Sequence, residues 1–232
     1  MNPEPSDKLI VALDVPGYDE ARKLVETLGD TVSFYKIGLE LLFSEGLALA
    51  SELDNEGKRI FLDMKFLDIG NTVEKAVAGV ANLGFDFLTI HGTDTKTMKA
   101  AVKGRGNSSL KLLAVTVLTS LDQNDLDEQG IAMTPSELVL KRAKLARDAG
   151  VDGVIASGQE AASIRAACGP EFLIVTPGIR LPGGDAGDQK RITTPEDALR
   201  AGANHLVVGR PITAAANPKA AAETVLAHIA GA

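Results

Sequence analysis

The stretch that decides the fold is Ile60-Phe61-Leu62-Asp63-Met64-Lys65-Phe66-Leu67-Asp68. Successive side chains of a strand point to opposite faces, so the even-numbered residues from Ile60 to Phe66 form one apolar face that is expected to meet helices. Asp63 and Lys65 then share the other face. Asp68 lies just beyond the strand, where it could bend back or reach a neighbouring subunit. The pattern predicts a buried parallel strand that carries opposite charges towards its carboxyl end.

Seven other short apolar runs accompany this strand. The eight predicted strands span residues 9–14, 33–37, 60–65, 87–91, 112–117, 153–156, 173–176 and 205–208. Their ends recur about every 28 residues, a length that suits one strand, one helix and two loops. The sequence therefore predicts eight consecutive β–α units.

Helix-like segments separate the strands. They span residues 18–28, 39–56, 72–83, 94–102, 135–149, 159–167, 195–201 and 218–229. Glycines that tolerate a left-handed helix end follow several of them, at Gly29, Gly57, Gly84, Gly150 and Gly202. Thr134, Thr194 and Asn217 each place a capping side chain before a proline, which predicts a helix start.

Eight such units can form a closed (β/α)8 barrel or a doubly wound sheet. We favour the barrel, an α/β fold of the TIM type formed as a single domain by residues 1–232. Strands and helices match in number, no low-complexity linker divides the chain, and 232 residues suit a fold of about 250.

Composition limits the possible partners. The chain is 45% hydrophobic and 24% charged, with a net charge of −7, so nucleic acid is an unexpected partner because phosphate-backbone binding needs clustered cations. Its apolar runs are too short to cross a membrane. The polar, acidic first residues do not resemble a secretory signal, and the single cysteine, Cys168, agrees with a reducing compartment. We expect a cytoplasmic protein.

Charged residues end three predicted strands. A barrel brings the carboxyl ends of all strands to one mouth, which would collect Asp14, Lys36, Asp63 and Lys65, with Asp68 close by. Taken singly, each charge also fits an ordinary ion pair at the rim, whereas the whole set on one face favours a functional site. The glycine- and proline-rich loop 177–194 after strand 7 is expected to act as a mobile lid.

These motifs resemble the orotidine 5'-monophosphate decarboxylase family. The resemblance rests on Asp63-x-Lys65-x-x-Asp68, with Asp14 closing strand 1 and Tyr35-Lys36-Ile37-Gly38 on strand 2. It continues through Ile69-Gly70-Asn71-Thr72, Leu118-Thr119-Ser120, Thr176-Pro177-Gly178-Ile179-Arg180, Gly187-Asp188-Gln189 and Val208-Gly209-Arg210-Pro211-Ile212. The Asp-x-Lys-x-x-Asp motif alone is moderately specific, since sugar-phosphate lyases of the same scaffold have one like it, but the segments together are highly specific.

The resemblance implies a homodimer that converts orotidine monophosphate to uridine monophosphate without a metal or an organic cofactor. It implies that Lys65 donates the proton to C6 of the pyrimidine and that Asp63 lies beside the departing carboxylate. It further implies that Lys36 and Asp14 bind the ribose hydroxyls and belong to the charge network, and that Asp68 and Thr72 act in the site of the second subunit. Thr119 or Ser120 would contact the pyrimidine edge. Arg180, Gly209 and Arg210 would bind the phosphate, and Gln189 would contact both phosphate and base.

Two alternatives stay open from the residues. A magnesium-dependent sugar-phosphate lyase or decarboxylase of the same scaffold would carry a metal-binding Glu where strand 2 has Lys36, and a cation there would repel magnesium. A barrel that binds a phosphate ligand without catalysis would need Arg180, Gly209 and Arg210 but would not need Lys65.

Overall fold

The computed structural model describes residues 4–181 and 191–232. In these residues eight parallel strands close into a barrel in chain order, with β8 paired to β1. The strands are β1 Leu9–Ala12, β2 Phe34–Gly38, β3 Arg59–Phe66, β4 Phe87–His91, β5 Lys111–Val115, β6 Gly153–Ile155, β7 Leu173–Thr176 and β8 His205–Val208. The predicted (β/α)8 barrel is therefore confirmed, and each strand lies within about two residues of its predicted position.

Helices surround the barrel. They are α1 Pro5–Lys8, α2 Tyr18–Leu28, α3 Leu39–Leu41, α4 Leu47–Asn55, α5 Gly70–Ala81, α6 Thr95–Arg105, α7 Gln123–Glu128, α8 Pro135–Asp148, α9 Ala161–Cys168, α10 Pro195–Arg200, α11 Arg210–Thr213 and α12 Pro218–Ala230. A 3-10 turn at Gly29–Thr31 follows α2. Over the described ranges, no helix has the length and apolar character needed to cross a membrane.

The predicted helix ends are confirmed. The five glycines all have positive φ, between 54° and 103°. The side chains of Thr134, Thr194 and Asn217 each accept a backbone N–H from the first turn of α8, α10 and α12. These local signals act within a few residues and need no tertiary contact to operate.

The single helix predicted over 39–56 is wrong. The structure has α3, a π-helical turn at Leu42–Gly46 and then α4, with Ser44 and Glu45 in non-helical conformations. Glu45 has a φ of 64°, and a Cβ on Gly46 would lie only 2.6 Å from the carbonyl oxygen of Leu41. The chain therefore makes a close turn that depends on a glycine, which interrupts the helix while leaving its apolar pattern intact.

Two apolar cores follow from the alternation of strand side chains. Ile60, Leu62 and Met64 belong to the large core between strands and helices, as predicted. The small core fills the barrel interior and contains Ile10, Ala12, Phe34, Phe61, Phe87, Leu113, Val175 and Val207. Three of its rings meet edge to face, with centroids 5.1 Å apart for Phe34 and Phe87 and 5.9 Å apart for Phe61 and Phe87.

This layer of rings lies directly below a layer of polar side chains in the barrel interior. Because inward-facing positions recur every second residue, Lys36 follows Phe34, Asp63 follows Phe61, and Thr89 follows Phe87. All three polar residues are buried. The interior thus changes from aromatic to polar at the next inward-facing position of β2, β3 and β4, and the new residue is charged on β2 and β3.

Candidate active site

A cavity of about 520 Å³ opens above the ring layer, at the carboxyl ends of the strands. Its volume suits a ligand of nucleotide or drug size. Of the residues predicted to form the site, eight line it: Asp14, Lys36, Asp63, Lys65, Thr119, Arg180, Gly209 and Arg210. The barrel therefore brings together residues that are up to 196 positions apart in the chain, from Asp14 to Arg210.

Four of these residues form a chain of alternating charge. The ammonium of Lys36 lies 2.9 Å from an oxygen of Asp14 and 3.5 Å from Oδ2 of Asp63. The other oxygen of Asp63, Oδ1, lies 2.9 Å from the ammonium of Lys65. Asp63 thus lies between two cations, and the order Asp14, Lys36, Asp63, Lys65 follows the carboxyl ends of the neighbouring strands β1, β2 and β3.

Burial and charge act in opposite directions on the inner pair. Burial alone would lower the pKa of the Lys36 ammonium, but the carboxylates of Asp63 and Asp14 outweigh it and raise the pKa above its ordinary value. Burial alone would raise the pKa of Asp63, but Lys36 and Lys65, with a hydrogen bond from Thr89, bring it below its usual range. Both groups are consequently ionised at neutral pH, because each stabilises the charge of the other.

Lys65 reaches the site through an irregularity in β3. Leu62 pairs with Leu88 and Phe66 pairs with Ile90, so β3 contains two more residues than β4 between these two pairs. Within the bulge Lys65 has a φ of 51°, in the left-handed region that non-glycine residues rarely adopt. Simple alternation predicted the inward direction of Asp63 and Lys65, but not this local turn of the backbone.

Thr89 on β4 holds the bulge and the carboxylate together. Its hydroxyl donates to Oδ1 of Asp63 at 2.8 Å and accepts the backbone N–H of Lys65 at 2.9 Å. The residue is fully buried. Sequence reasoning missed it, because threonine is common in strands and its place among apolar neighbours gives no separate signal.

The two predicted phosphate-binding arginines line the cavity after the neighbouring strands β7 and β8. Arg180 follows β7, and its backbone N–H donates to the carbonyl of Thr193 at 3.0 Å. Arg210 begins α11 after β8, directly behind Gly209. A Cβ at Gly209 would lie 3.7 Å from that of Ala12, an ordinary contact distance. The neighbouring residues alone would therefore accommodate a small side chain at this position.

Three other predicted residues, Asp68, Thr72 and Ser120, do not line the cavity of this chain. Asp68 is exposed, and its carboxylate accepts the backbone N–H of Ile69 at 2.6 Å. Thr72 is exposed in the first turn of α5, and Ser120 lies half-buried beside Thr119. Gln189 lies outside the described residues.

The fold and this mouth define a class of (β/α)8 barrel protein with an alternating network of lysines and aspartates and two arginines in one cavity. The family described as "Orotidine 5'-phosphate decarboxylase / HUMPS family" matches residues 7–225. The chain belongs to this family.

Individual proteins agree with the family match. A protein of Methylobacterium nodulans named orotidine 5'-phosphate decarboxylase is 54% identical over 233 residues, covering 99% of this chain and 98% of the relative. One of Caulobacter sp. with the same name is 55% identical over 224 residues, covering 97% of each. The crystal structure of orotidine 5'-phosphate decarboxylase from Lactobacillus acidophilus is similar with a TM-score of 0.84 and 39% identity, over 95% of this chain and 98% of that one.

Proposed function

We propose that this chain decarboxylates orotidine 5'-monophosphate to uridine 5'-monophosphate and CO2, without a metal or an organic cofactor. The observation that carries the proposal is the alternating order Asp14, Lys36, Asp63, Lys65 at the cavity, in which Lys36 and Asp63 are buried and the Lys65 ammonium lies 2.9 Å from Asp63. The names of the similar proteins support the same reaction. The network supplies a fixed cation where this chemistry needs one.

The reaction creates a carbanion that the pyrimidine cannot delocalise. When the bond from C6 to the carboxylate breaks, the electron pair stays in an sp2 orbital at C6 and CO2 leaves. The Lys65 ammonium at that carbon stabilises the developing charge and then transfers a proton from Nζ to C6, which leaves a neutral amine. A lysine suits this step better than an arginine, because the much higher pKa of guanidinium makes it a poor proton donor.

Asp63 keeps this ammonium in place. It faces Lys65 with one oxygen and Lys36 with the other, so its position is determined from both sides. The network is formed by side chains of the chain itself, so little reorganisation is needed during the reaction. In the bound complex Asp63 lies beside the departing carboxylate.

The nucleotide spans the cavity from the lysines to the arginines. Lys36 and Asp14 contact the ribose hydroxyls, Thr119 or Ser120 contacts the pyrimidine edge, and Arg180 with Gly209 and Arg210 binds the phosphate. Guanidinium groups match phosphate oxygens in a forked geometry. Because phosphate is remote from C6, its binding energy can be used to hold the ring against Lys65.

The dimeric state is part of the proposal. Asp68 and Thr72 lie outside the cavity of their own chain and are exposed, which suits residues that complete the site of a second subunit. Large apolar side chains are also exposed on the segments that follow the paired strands β2 and β3. Their exposed fractions are 54% for Leu39, 88% for Phe43, 54% for Leu67 and 74% for Ile69. Exposed apolar side chains on neighbouring segments suit an interface.

Lys36 distinguishes this reaction from a magnesium-dependent one. A lyase of that kind needs oxygen ligands for the metal. Here an ammonium occupies the centre of the network, 2.9 Å from Asp14 and 3.5 Å from Asp63, so both carboxylates already face a cation. We also propose a cytoplasmic location, which suits a chain whose single cysteine, Cys168, is a free thiol.

A spectrophotometric assay tests the proposal directly. Purified protein is mixed with orotidine monophosphate and the orotate ultraviolet band is followed, before and after thorough chelation of divalent metals. The expected result is loss of the band at the same rate in both samples. Tight binding with an unchanged spectrum would replace this proposal with a binding function, and activity that disappears on chelation would replace it with the metal-dependent one.

A further inference from the structure

The buried ion pair between Arg191 and Glu160 lies beside the cavity but is not part of its lining. The side-chain exposures are only 10% for Arg191 and 5% for Glu160, and Nη1 of Arg191 lies 3.0 Å from Oε1 of Glu160. Removing two such groups from water costs free energy that a single contact rarely offsets. The role of this buried pair therefore depends on the other contacts that its two residues make.

The ion pair contacts the loop after β5 through the Arg191 side chain. Nη2 of Arg191 donates to the carbonyl oxygens of Val117 at 2.9 Å and of Leu118 at 3.2 Å. The carbonyl of Leu118 belongs to the peptide bond that joins it to Thr119. Thr119 lines the cavity at the end where the pyrimidine is proposed to bind. The guanidinium therefore fixes the peptide plane from which Thr119 projects.

Arg191 itself belongs to the loop after β7, and backbone hydrogen bonds position this loop. The carbonyl of Arg191 accepts the hydroxyl of Ser157 at 3.3 Å. Two residues later, Thr193 donates its N–H to the carbonyl of Gly178 at 3.3 Å and accepts the N–H of Arg180 at 3.0 Å. The backbone that leads from Arg191 is thus tied to the backbone that carries a proposed phosphate-binding arginine.

Glu160 completes the arrangement from β6. It follows that strand, faces Arg191 and also accepts the hydroxyl of Ser136 on α8 at 3.2 Å. One guanidinium consequently links the segments after β5, β6 and β7. Its contacts with the segment after β5 are to main-chain carbonyls and so do not depend on the side chains there, whereas its contact with the segment after β6 depends on Glu160.

We propose that Arg191, held by Glu160, is a positioning residue that sets the distance between the pyrimidine end and the phosphate end of the cavity. The inference rests on the proposed function for the identity of the ligand. Arg191 touches neither end of the nucleotide. Arg191 keeps the pyrimidine end and the phosphate end of the cavity at a fixed separation. A ligand that spans both ends can therefore make both sets of contacts without a cost in free energy for moving the loops.

The test compares a whole ligand with its two halves. Arg191→Met keeps the length and apolar stem of the side chain but removes the charge and the donors. Dissociation constants are measured for uridine monophosphate, and inhibition or direct binding is measured for uridine and for inorganic phosphate. We expect affinity for the whole nucleotide, and kcat/KM for orotidine monophosphate, to fall about 10- to 100-fold, while each half binds within about 2-fold of its wild-type strength.

Arg105→Met is the matched control. Arg105 pairs with Asp152, whose carboxylate accepts the N–H of Leu112, so this ion pair holds the opposite end of β5. Its loss should lower the melting temperature and leave all three affinities and kcat/KM near wild type. Arg191→Lys and Glu160→Gln provide milder changes if the methionine variant does not fold, and both should weaken the whole nucleotide more than its halves.

Three results would overturn the inference. One is unchanged kcat/KM and nucleotide affinity in Arg191→Met. Another is an equal loss for the halves and the whole, which would indicate local damage. The third is the same kinetic loss in Arg105→Met, which would indicate general destabilisation. If the wild-type protein binds uridine monophosphate but does not turn over orotidine monophosphate, the proposed function fails while the binding comparison still decides the role of Arg191.

Discussion

Thr89 is the residue on which the geometry of the charge network depends most closely. It is buried, and it satisfies both an oxygen of Asp63 and the backbone N–H of Lys65. Thr89→Val keeps the shape of the side chain but leaves a buried N–H without its partner and removes a donor from the carboxylate. We expect kcat to fall about 10- to 100-fold, since a lost buried hydrogen bond costs about 1–3 kcal/mol, with a smaller change in KM.

Steady-state kinetics with orotidine monophosphate measures this effect. Thr89→Ser restores the hydroxyl and should recover most of kcat. Thr116→Val is the control, because Thr116 is equally buried and donates at 2.8 Å to the carbonyl of Ile155 rather than to the network. Equal kinetic losses in the Thr89 and Thr116 valine variants would show that Thr89 has no special link to the reaction.

His205 at the start of β8 gives the folded protein a sensitivity to acid. Burial, followed by the positive charge of Arg59, lowers the pKa of His205 to about 4. In the unfolded chain His205 has an ordinary pKa near 6.5 and therefore binds a proton at a higher pH than in the folded protein. The contribution of the neutral, buried His205 to folding stability is complete above pH 6.5 and is lost as the pH falls towards 4. The imidazole meets Phe34 and Phe87 edge-on, which leaves little room for a hydrated cation.

The change that tests this is His205→Phe, which removes the titrating group and keeps a ring. Urea unfolding at pH 7 and pH 4.5 gives the free energy of unfolding for both proteins. We expect the wild type to lose about 2 kcal/mol more than the variant between these pH values. Parallel losses in the two proteins would show that acid sensitivity arises elsewhere.

At the scale of the element, the end of β2 is shaped by the absence of a side chain. A Cβ on Gly38 would lie 2.9 Å from the Lys36 ammonium and 3.1 Å from Oδ1 of Asp14. The φ of Gly38 is −112°, so alanine fits the backbone and Gly38→Ala tests space alone. Lys36 should move away from Asp14, and kcat should fall about 10-fold with little change in melting temperature.

Kinetics and thermal denaturation measure the two effects together. Gly17→Ala is the control, because Gly17 also has an extended φ of −154° and a Cβ there would meet no atom within 4 Å. It should behave as the wild type in both measurements. Retention of full activity by Gly38→Ala would mean that the contact between Lys36 and Asp14 can move without affecting the reaction.

Elements of this fold differ in how much of them the sequence predicts. The strand positions and inward direction of Asp63 follow from short apolar runs and from strict alternation, which are local properties. The bulge at Lys65 depends on the register between β3 and β4, and the break at Glu45 depends on a close contact between Gly46 and Leu41. The bulge arises where two strands meet, and the break arises from one close backbone contact within a segment, so the apolar pattern of the sequence reveals neither.

The site shows the same division. Its charged residues could be predicted because charges at the ends of buried strands are unusual and because the motifs resemble a family. Thr89, Glu160 and Arg191 could not, since their roles come from partners 24 or more residues away. A threonine in a strand and a charge in a loop are ordinary observations until the fold brings their partners to them.

At the scale of the whole molecule, the proposed dimer makes a prediction about mixed subunits. Lys65→Ala removes the proton donor, and Asp68→Asn removes a group that would act in the partner's site, so each variant alone should be inactive. A mixed dimer would contain one site with both residues intact. An equal mixture should therefore recover about one quarter of wild-type activity if subunits assemble at random.

Activity after denaturation and joint refolding measures this recovery, and native mass spectrometry shows the mixed dimers. Mixing Asp68→Asn with Thr72→Ala is the control. Both residues are proposed to act across the same interface, so every mixed site lacks one of them and no recovery is expected. Absence of recovery in the first mixture, with mixed dimers present, would place Asp68 in the site of its own chain.

The left-handed backbone at Lys65 carries a cost that its side chain helps to offset. A glycine would occupy a φ of 51° with less strain, by about 1 kcal/mol, but it would remove one of the two lysines that face the buried Asp63. Loss of one partner leaves a buried charge less well compensated, which opposes the gain in backbone freedom. The same amine thus serves the architecture and the reaction, and a chain that no longer needed the reaction would still have a reason to keep it.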